Sequence, residues 1–190
     1  MPAAARPPVT DIPAERVTLH GVLIEIFGLG VLLAGRSGVG KSELALEMLA
    51  RGHRLVADDA AEFELAGDGR VVGRCPPLLY GFLEVRGLGV LHVGRMFGEP
   101  ALRASKTLDL ILRLHAVGDY ADPPDRLHGR RRDTLVCGKP IPEISLPVRP
   151  GQSLATLAEA ACRDQTLKRD GYDAADDFVA RQMRSIQGRT

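Results

Sequence analysis

The chain predicts an α/β fold, a mixed sheet with flanking helices, and three observations carry that prediction. Short runs rich in β-branched and aromatic residues recur between residues 17 and 115. A segment at 41–51 sets apolar residues at helical spacing between two of those runs. Two further helical patterns close the chain after Gln152.

Residues 1–15, rich in Ala and Pro, read as a mobile lead-in, and 16–190 as a single domain. Residues 17–20 and 22–27 read as strands. Gly28-Leu29-Gly30 makes a tight turn into a third apolar strand at 31–34. In the helix at 41–51, Leu44 and Met48, and Ala45 and Leu49, repeat at i, i+4 and mark one buried face; Gly52 suits its stop. Residues 54–57 form a short strand ending in Asp58-Asp59. Residues 62–65 and 70–73 flank the hairpin signal Gly67-Asp68-Gly69, and 82–86 and 90–93 are strands around a second Gly-Leu-Gly. Leu108, Leu110, Leu112 and Leu114 alternate with Asp109, Ile111, Arg113 and His115, a period of two that predicts a strand with one face in the core. Residues 120–132 read as a polar loop. Ser153 caps the first closing helix and Asp173 the second, where Val179, Met183 and Ile186 share a face.

Composition narrows the function classes. Hydrophobic residues make up 45% and charged residues 26%, as expected of a globular chain. A formal net charge of +1 gives no broad electrostatic case for nucleic acid or an anionic membrane. Arg130, Arg131 and Arg132 are the tight basic run and read as a solvated loop. Three scattered cysteines fit free thiols rather than a disulfide framework or a zinc site. The start of the chain lacks the apolar core of a signal peptide, and no apolar run is long enough to span a bilayer, so a cytoplasmic location is expected.

The chemistry begins at Gly35-Arg36-Ser37-Gly38-Val39-Gly40-Lys41-Ser42, which satisfies G-x-x-x-x-G-K-[ST] between an apolar strand and an amphipathic helix. Glycines let backbone N–H groups curl around phosphate oxygens. Lys41 brings positive charge to the β/γ-phosphates, Ser42 offers a hydroxyl to Mg²⁺, and the helix N-terminus adds partial positive charge. Phosphoryl transfer also needs a group to take the acceptor's proton. Asp58-Asp59 end a strand soon after the loop helix. Adjacent strand residues face opposite ways, so one is a candidate base or metal ligand and the other a support or cap. Glu84 sits among apolar residues and needs a partner if buried; Arg86 and Mg²⁺ are the two candidates. His20 lies between two strand segments, a position for a core, surface or catalytic histidine.

Taken in order, these stretches resemble the catalytic C-terminal domain of the HPr kinase/phosphorylase family. The match rests on His20-Gly21, on the phosphate loop with Glu43 after it, and on Arg51-Gly52-His53-Arg54-Leu55-Val56-Ala57-Asp58-Asp59. It continues through Leu83-Glu84-Val85-Arg86-Gly87-Leu88-Gly89, Asp125-Arg126-Leu127 and Pro147-Val148-Arg149-Pro150-Gly151, covering about 17–187. The resemblance implies a P-loop kinase core like that of phosphoenolpyruvate carboxykinases, assembled as a hexamer. It implies an enzyme that uses ATP and Mg²⁺ to phosphorylate a serine of HPr, the carrier of the sugar phosphotransferase system, and that removes the phosphate by phosphorolysis. Asp59 is implied as proton acceptor, with His20, Lys41 and Arg126 as further active-site residues and Ser42 and Glu84 as Mg²⁺ ligands. Asp58 and Arg86 are implied as supports.

Two departures from the family pattern set further expectations. Family members commonly carry a separate N-terminal domain, whereas the catalytic motifs here begin almost at once, so regulation through that domain is expected to be absent. The stretch Pro147-Val148-Arg149-Pro150-Gly151-Gln152 ends in an amide where the family has arginine, which predicts weak phosphorolysis. Two other readings compete, a kinase for a small hydroxylated molecule and a non-catalytic nucleotide sensor. Lys41, Ser42, Asp59 and Glu84 together argue against the sensor.

Overall fold

A computed structural model describes residues 16–120 and 125–187; the expected lead-in at 1–15 and part of the 120–132 loop lie outside them. In chain order come β1 (Arg16–His20), β2 (Val22–Ile26), β3 (Leu29–Gly35), α1 (Lys41–Ala50), β4 (Arg54–Ala57), β5 (Ala60–Leu65) and β6 (Val71–Arg74). Then follow β7 (Phe82–Val85), β8 (Gly89–His92), α2 (Val93–Phe97), β9 (Ser105–Ala116), β10 (Arg131–Val136), β11 (Lys139–Val148), α3 (Leu154–Arg169) and α4 (Ala174–Gln187). The main sheet runs β1-β5-β6-β9-β3-β2-β4, with β11 also on β9 and β10 on β11; β7 and β8 form a separate hairpin. The architecture is therefore the expected mixed α/β sheet.

The parallel trio β3, β9 and β11 sets the polarity of the molecule. Gly35 pairs with Leu114, and Leu114 with Leu146, so all three strands end at the same edge. Sites in open α/β sheets form outside such carboxyl ends. Both faces of the sheet are covered. One buries Ile24, Leu33, Leu110 and Leu112 against Leu44 and Met48 of α1 and Ala158 and Cys162 of α3. The other collects Leu23, Leu32, Phe63, Leu108 and Ile111. Met48 is fully buried, and its truncation to Ala removes about 2–5 kcal/mol.

β9 departs from the alternation read in its sequence. Gly30 pairs with Leu108 but Val31 pairs with Leu110, so Asp109 is an extra residue and the strand bulges there. The bulge moves Leu108 to the face of Ile111, leaving Leu110, Leu112 and Leu114 on the helix side. Asp109 answers the irregularity by accepting a hydrogen bond from the Gly30 N–H at 2.9 Å.

Three further expectations are corrected. Val93 begins α2 rather than ending a strand, because His92 caps that turn by accepting from the Arg95 N–H. The basic run is not loosely solvated. Arg130 stacks over Tyr120, Arg131 bonds Asp164 at 2.5 Å, and Arg132 bonds Glu143 at 2.7 Å. α4 buries none of its residues, so Met183 and Ile186 lie exposed. The caps are as expected: Ser153 Oγ accepts from the Thr156 N–H and Asp173 Oδ1 from the Ala175 N–H.

Candidate active site

The end of β3 fixes the phosphate loop. A Cβ on Gly35 would lie 2.4 Å from the Leu114 carbonyl oxygen, so the loop can leave the sheet here only through glycine. Gly38 has φ of 77°, which lets the loop fold back toward α1. The Val39 N–H closes a turn on the Arg36 carbonyl, and α1 starts at Lys41 without a side-chain cap, leaving its first amides open to an anion. Lys41 Nζ donates to the carbonyls of Gly35 and Arg36, both at 3.1 Å, which places the ammonium at the loop's mouth. Arg36 is drawn to Asp119 at 3.7 Å, and Asp119 in turn accepts from the Ala116 N–H beyond β9. Asp119 carries no motif and was missed in the sequence.

A cleft of about 370 Å³ brings the loop together with residues from three other elements. Ser37, Gly38, Gly40, Lys41, Ser42 and Glu43 form one wall; His20, Asp58, Asp59, Glu84 and Arg86 form the other. β1 pairs antiparallel with β5, which sets His20 opposite Ala60 and so beside the turn at Asp59. There His20 Nε2 and Asp59 Oδ1 lie 2.9 Å apart. Asp59 has φ of 63°, a left-handed backbone that Asp tolerates better than bulkier residues and that aims its carboxylate out of the strand into the cleft.

Asp58 plays the other part. It is half-buried and accepts the Glu84 N–H at 2.8 Å, tying the β4 end to β7. Burial pushes its pKa up, the neighbouring charges of Asp59 and Glu84 add to the rise, and the Glu84 amide opposes it. Glu84 stands on the exposed side of β7 while Leu83 and Val85 face the core. Glu84 is therefore not buried and needs no protein partner there. Arg86 instead lies over the phosphate loop, with guanidinium nitrogens 3.2 Å from where a Gly38 Cβ would sit.

The cleft therefore holds two cations, Lys41 and Arg86, and carboxylates at Asp58, Asp59, Glu84 and Glu43. The hydroxyl of Ser42 and the carboxylate of Glu84 are hard oxygen donors on opposing walls, the type Mg²⁺ takes while keeping waters and phosphate oxygens as its other ligands. Among the described residues no three His, Cys, Asp or Glu side chains cluster as a metal site.

Two predicted segments lie outside the cleft lining. Arg126 is exposed in a turn closed by the Gly129 N–H on the Asp125 carbonyl, and does not line the cleft. Pro147 and Val148 end β11 at the phosphate-loop edge, and a turn from Arg149 to Gln152 leads to α3; neither Arg149 nor Gln152 reaches the lining.

Comparison with known proteins places this geometry. The family described as HPr Serine kinase C-terminal domain matches residues 12–182. An HPr kinase/phosphorylase of Azoarcus sp. (strain BH72) is 44% identical over 92% of this chain and 56% of its own length. One of Xanthomonas campestris pv. campestris (strain B100) is 49% identical over 93% of this chain and 57% of its own. The chain thus spans somewhat over half the length of these relatives. The solved structure of the Hpr(Ser) kinase/phosphatase from Coxiella burnetii has a TM-score of 0.78 at 31% identity, covering 85% of this chain and 98% of that one.

Proposed function

The chain belongs to the HPr serine kinase C-terminal domain family, and from that premise we propose that it is an ATP- and Mg²⁺-dependent protein-serine kinase acting on HPr or an HPr-like phosphocarrier. Residues 16–190 are its catalytic domain. The observation that carries the reading is the single cleft in which Lys41 and Ser42 face the His20–Asp59 pair and Glu84.

The steps follow from those positions. The open amides of the loop and Lys41 would hold the β/γ-phosphates, and Arg86, just past β7 and over Gly38, would add a second positive charge beside them. Mg²⁺, held by Ser42 and Glu84, would offset phosphate charge as the transferred group loosens. Asp59 accepts the proton of the incoming serine hydroxyl as its oxygen bonds to the γ-phosphorus and the bond to the leaving nucleoside diphosphate breaks. His20, 2.9 Å away, orients Asp59 and shares the proton. Asp58 positions the Asp59 turn from its bond to the Glu84 amide.

The reverse reaction needs inorganic phosphate held beside an anionic phosphoserine, which favours bidentate arginine. Gln152 brings no charge to the stretch 147–152, so phosphorolysis is slow relative to the kinase reaction. The family also favours a cytoplasmic hexamer.

The test is mass spectrometry of purified HPr after incubation with the chain, ATP and Mg²⁺. Phosphoserine is expected with the wild type and not with Lys41→Ala, which loses a charge-assisted phosphate contact. A metabolite panel phosphorylated in place of HPr, or no transfer to either, refutes the reading.

A further inference from the structure

A second cavity lies at the opposite edge of the sheet. β9 carries two strands end to end on one side: β6 pairs with residues 105–107 and β11 with residues 111–116. Among the described residues, 108–110 have no ladder partner on that side, and the bulge at Asp109 falls in this fork. A cavity of about 540 Å³ opens there, closed by the β5–β6 turn, the start of β11 and the last turns of α3. That volume lies within the roughly 300–1,000 Å³ typical of small-ligand sites.

One wall is apolar, formed by Leu29, Leu108, Pro140 and Pro142. The other is cationic, but its arginines are already paired: Arg70 with Asp68 at 2.7 Å and Arg169, through one terminal nitrogen, with Asp109 at 2.8 Å. Lys106 shares Glu25 with Arg54 and Arg103. Two groups remain. Lys139 makes no ion pair among the described residues, and its side chain lies beside Gly69 at the rim. Gln165 is only 7% exposed and lines the cavity, yet its amide has no hydrogen-bond partner among the described residues. No fully buried side-chain nitrogen or oxygen there lacks a partner, so this amide opens into the cavity. Buried amides are ordinarily hydrogen-bonded, and one left open toward a cavity points to a ligand.

We propose that this cavity binds a small organic monocarboxylate, its carboxylate held by Lys139 and Gln165 and its apolar body against the proline wall. One free ammonium and one neutral amide match a single negative charge. A phosphate dianion is better served by unpaired arginines or a run of backbone amides, and here each arginine already answers a carboxylate. The site is separate from the phosphate loop: Leu29 touches the cavity and Gly35 begins the loop at the other end of the seven-residue β3, roughly 20 Å away at strand rise.

The test is titration of the isotope-labelled chain with benzoate and with hexanoate, reading ¹H–¹⁵N spectra with the Gln165 side-chain amide as reporter. Saturable shifts are expected at Gln165 and around Lys139. Affinity should fall on the order of tenfold in Lys139→Met and in Gln165→Leu, with Lys139→Arg recovering most of it. Lys139 is exposed, so its substitution keeps the fold even if Gln165→Leu does not. ATP should leave the shifts in place. Absence of saturable shifts, equal affinity in wild type and Lys139→Met, or displacement by ATP would each overturn the site. Tighter binding of phenyl phosphate than of benzoate would overturn the carboxylate.

Discussion

Two groups of carboxylates in this fold have opposite surroundings. Glu143 is 1% exposed and accepts from Arg113 at 2.7 and 2.8 Å, from Arg132 at 2.7 Å and from Thr134 at 2.9 Å. Burial pushes its pKa up, but those donors outweigh burial and hold it below the usual range. Asp58, Asp59 and Glu84 line one cleft, where Asp59 Oδ1 lies 2.9 Å from His20 Nε2 and, among the described residues, no lysine or arginine pairs with any of the three. A buried carboxylate with all its acceptors answered is holding a structure together. Carboxylates gathered with no lysine or arginine bonded to them repel one another, a cost recovered when a cation or a proton arrives. The contrast separates a structural acid from acids kept open for substrate.

The sharpest break of that contrast is Glu143→Ala. It strands two guanidinium groups and should remove about 3–5 kcal/mol of unfolding free energy, read by urea denaturation, while kinase activity per folded molecule stays near wild type. Asp59→Asn should do the reverse. Turnover should drop roughly 10²-fold or more with unchanged denaturation, because Asn accepts the left-handed backbone as readily as Asp. If Asp58→Asn is inactive and Asp59→Asn is not, the two aspartates exchange roles.

Acid sharpens the comparison further. Folding depresses the Glu143 pKa from its ordinary value of 4.5, so its stabilisation is complete above that value and is lost as pH falls through the lower folded value. The stability gap between wild type and Glu143→Gln should therefore close as pH is taken below about 4.5. Glu84→Gln should have the smallest effect, raising the Mg²⁺ needed for half-maximal rate several-fold with little change in stability, since Mg²⁺ prefers a charged oxygen. An unchanged Mg²⁺ titration would remove Glu84 from the metal site.

Most of the fold was legible where the cues are local. The phosphate loop, α1 with its buried Leu44 and Met48, β4 at 54–57 and the caps Ser153 and Asp173 all declare themselves within a few residues. The β10–β11 hairpin did not, because Pro140, Pro142 and Pro147 disguise β11 as a loop. Their positions explain why a strand survives. Pro140 and Pro142 precede the pairing with β9, which starts at Glu143. Pro147 lies past the end of β10, after the Ser145 N–H has bonded the Arg130 carbonyl. Each proline nitrogen thus faces a gap in the ladder and deprives no partner strand. The candidate site was half legible. Lys41 and Ser42 follow from their motif, whereas the approach of His20 to Asp59 depends on the register of β1 with β5, and that of Arg86 to Gly38 on where the β7–β8 hairpin docks.

α4 shows what a helix costs when it buries no side chain. Its 14 residues include no buried side chain, although Phe178, Met183 and Ile186 are apolar. Helices of about 12–15 residues are marginal in water on propensity alone. The Arg181–Asp177 pair and the Asp173 cap add only tenths of a kcal/mol to about one each. Its amide protons should therefore exchange with solvent through local fraying, at rates far above those of α1, whose Met48 and Ala45 are sealed in the core. The last turns of α4 are thus expected to fray toward coil on warming well before the sheet opens.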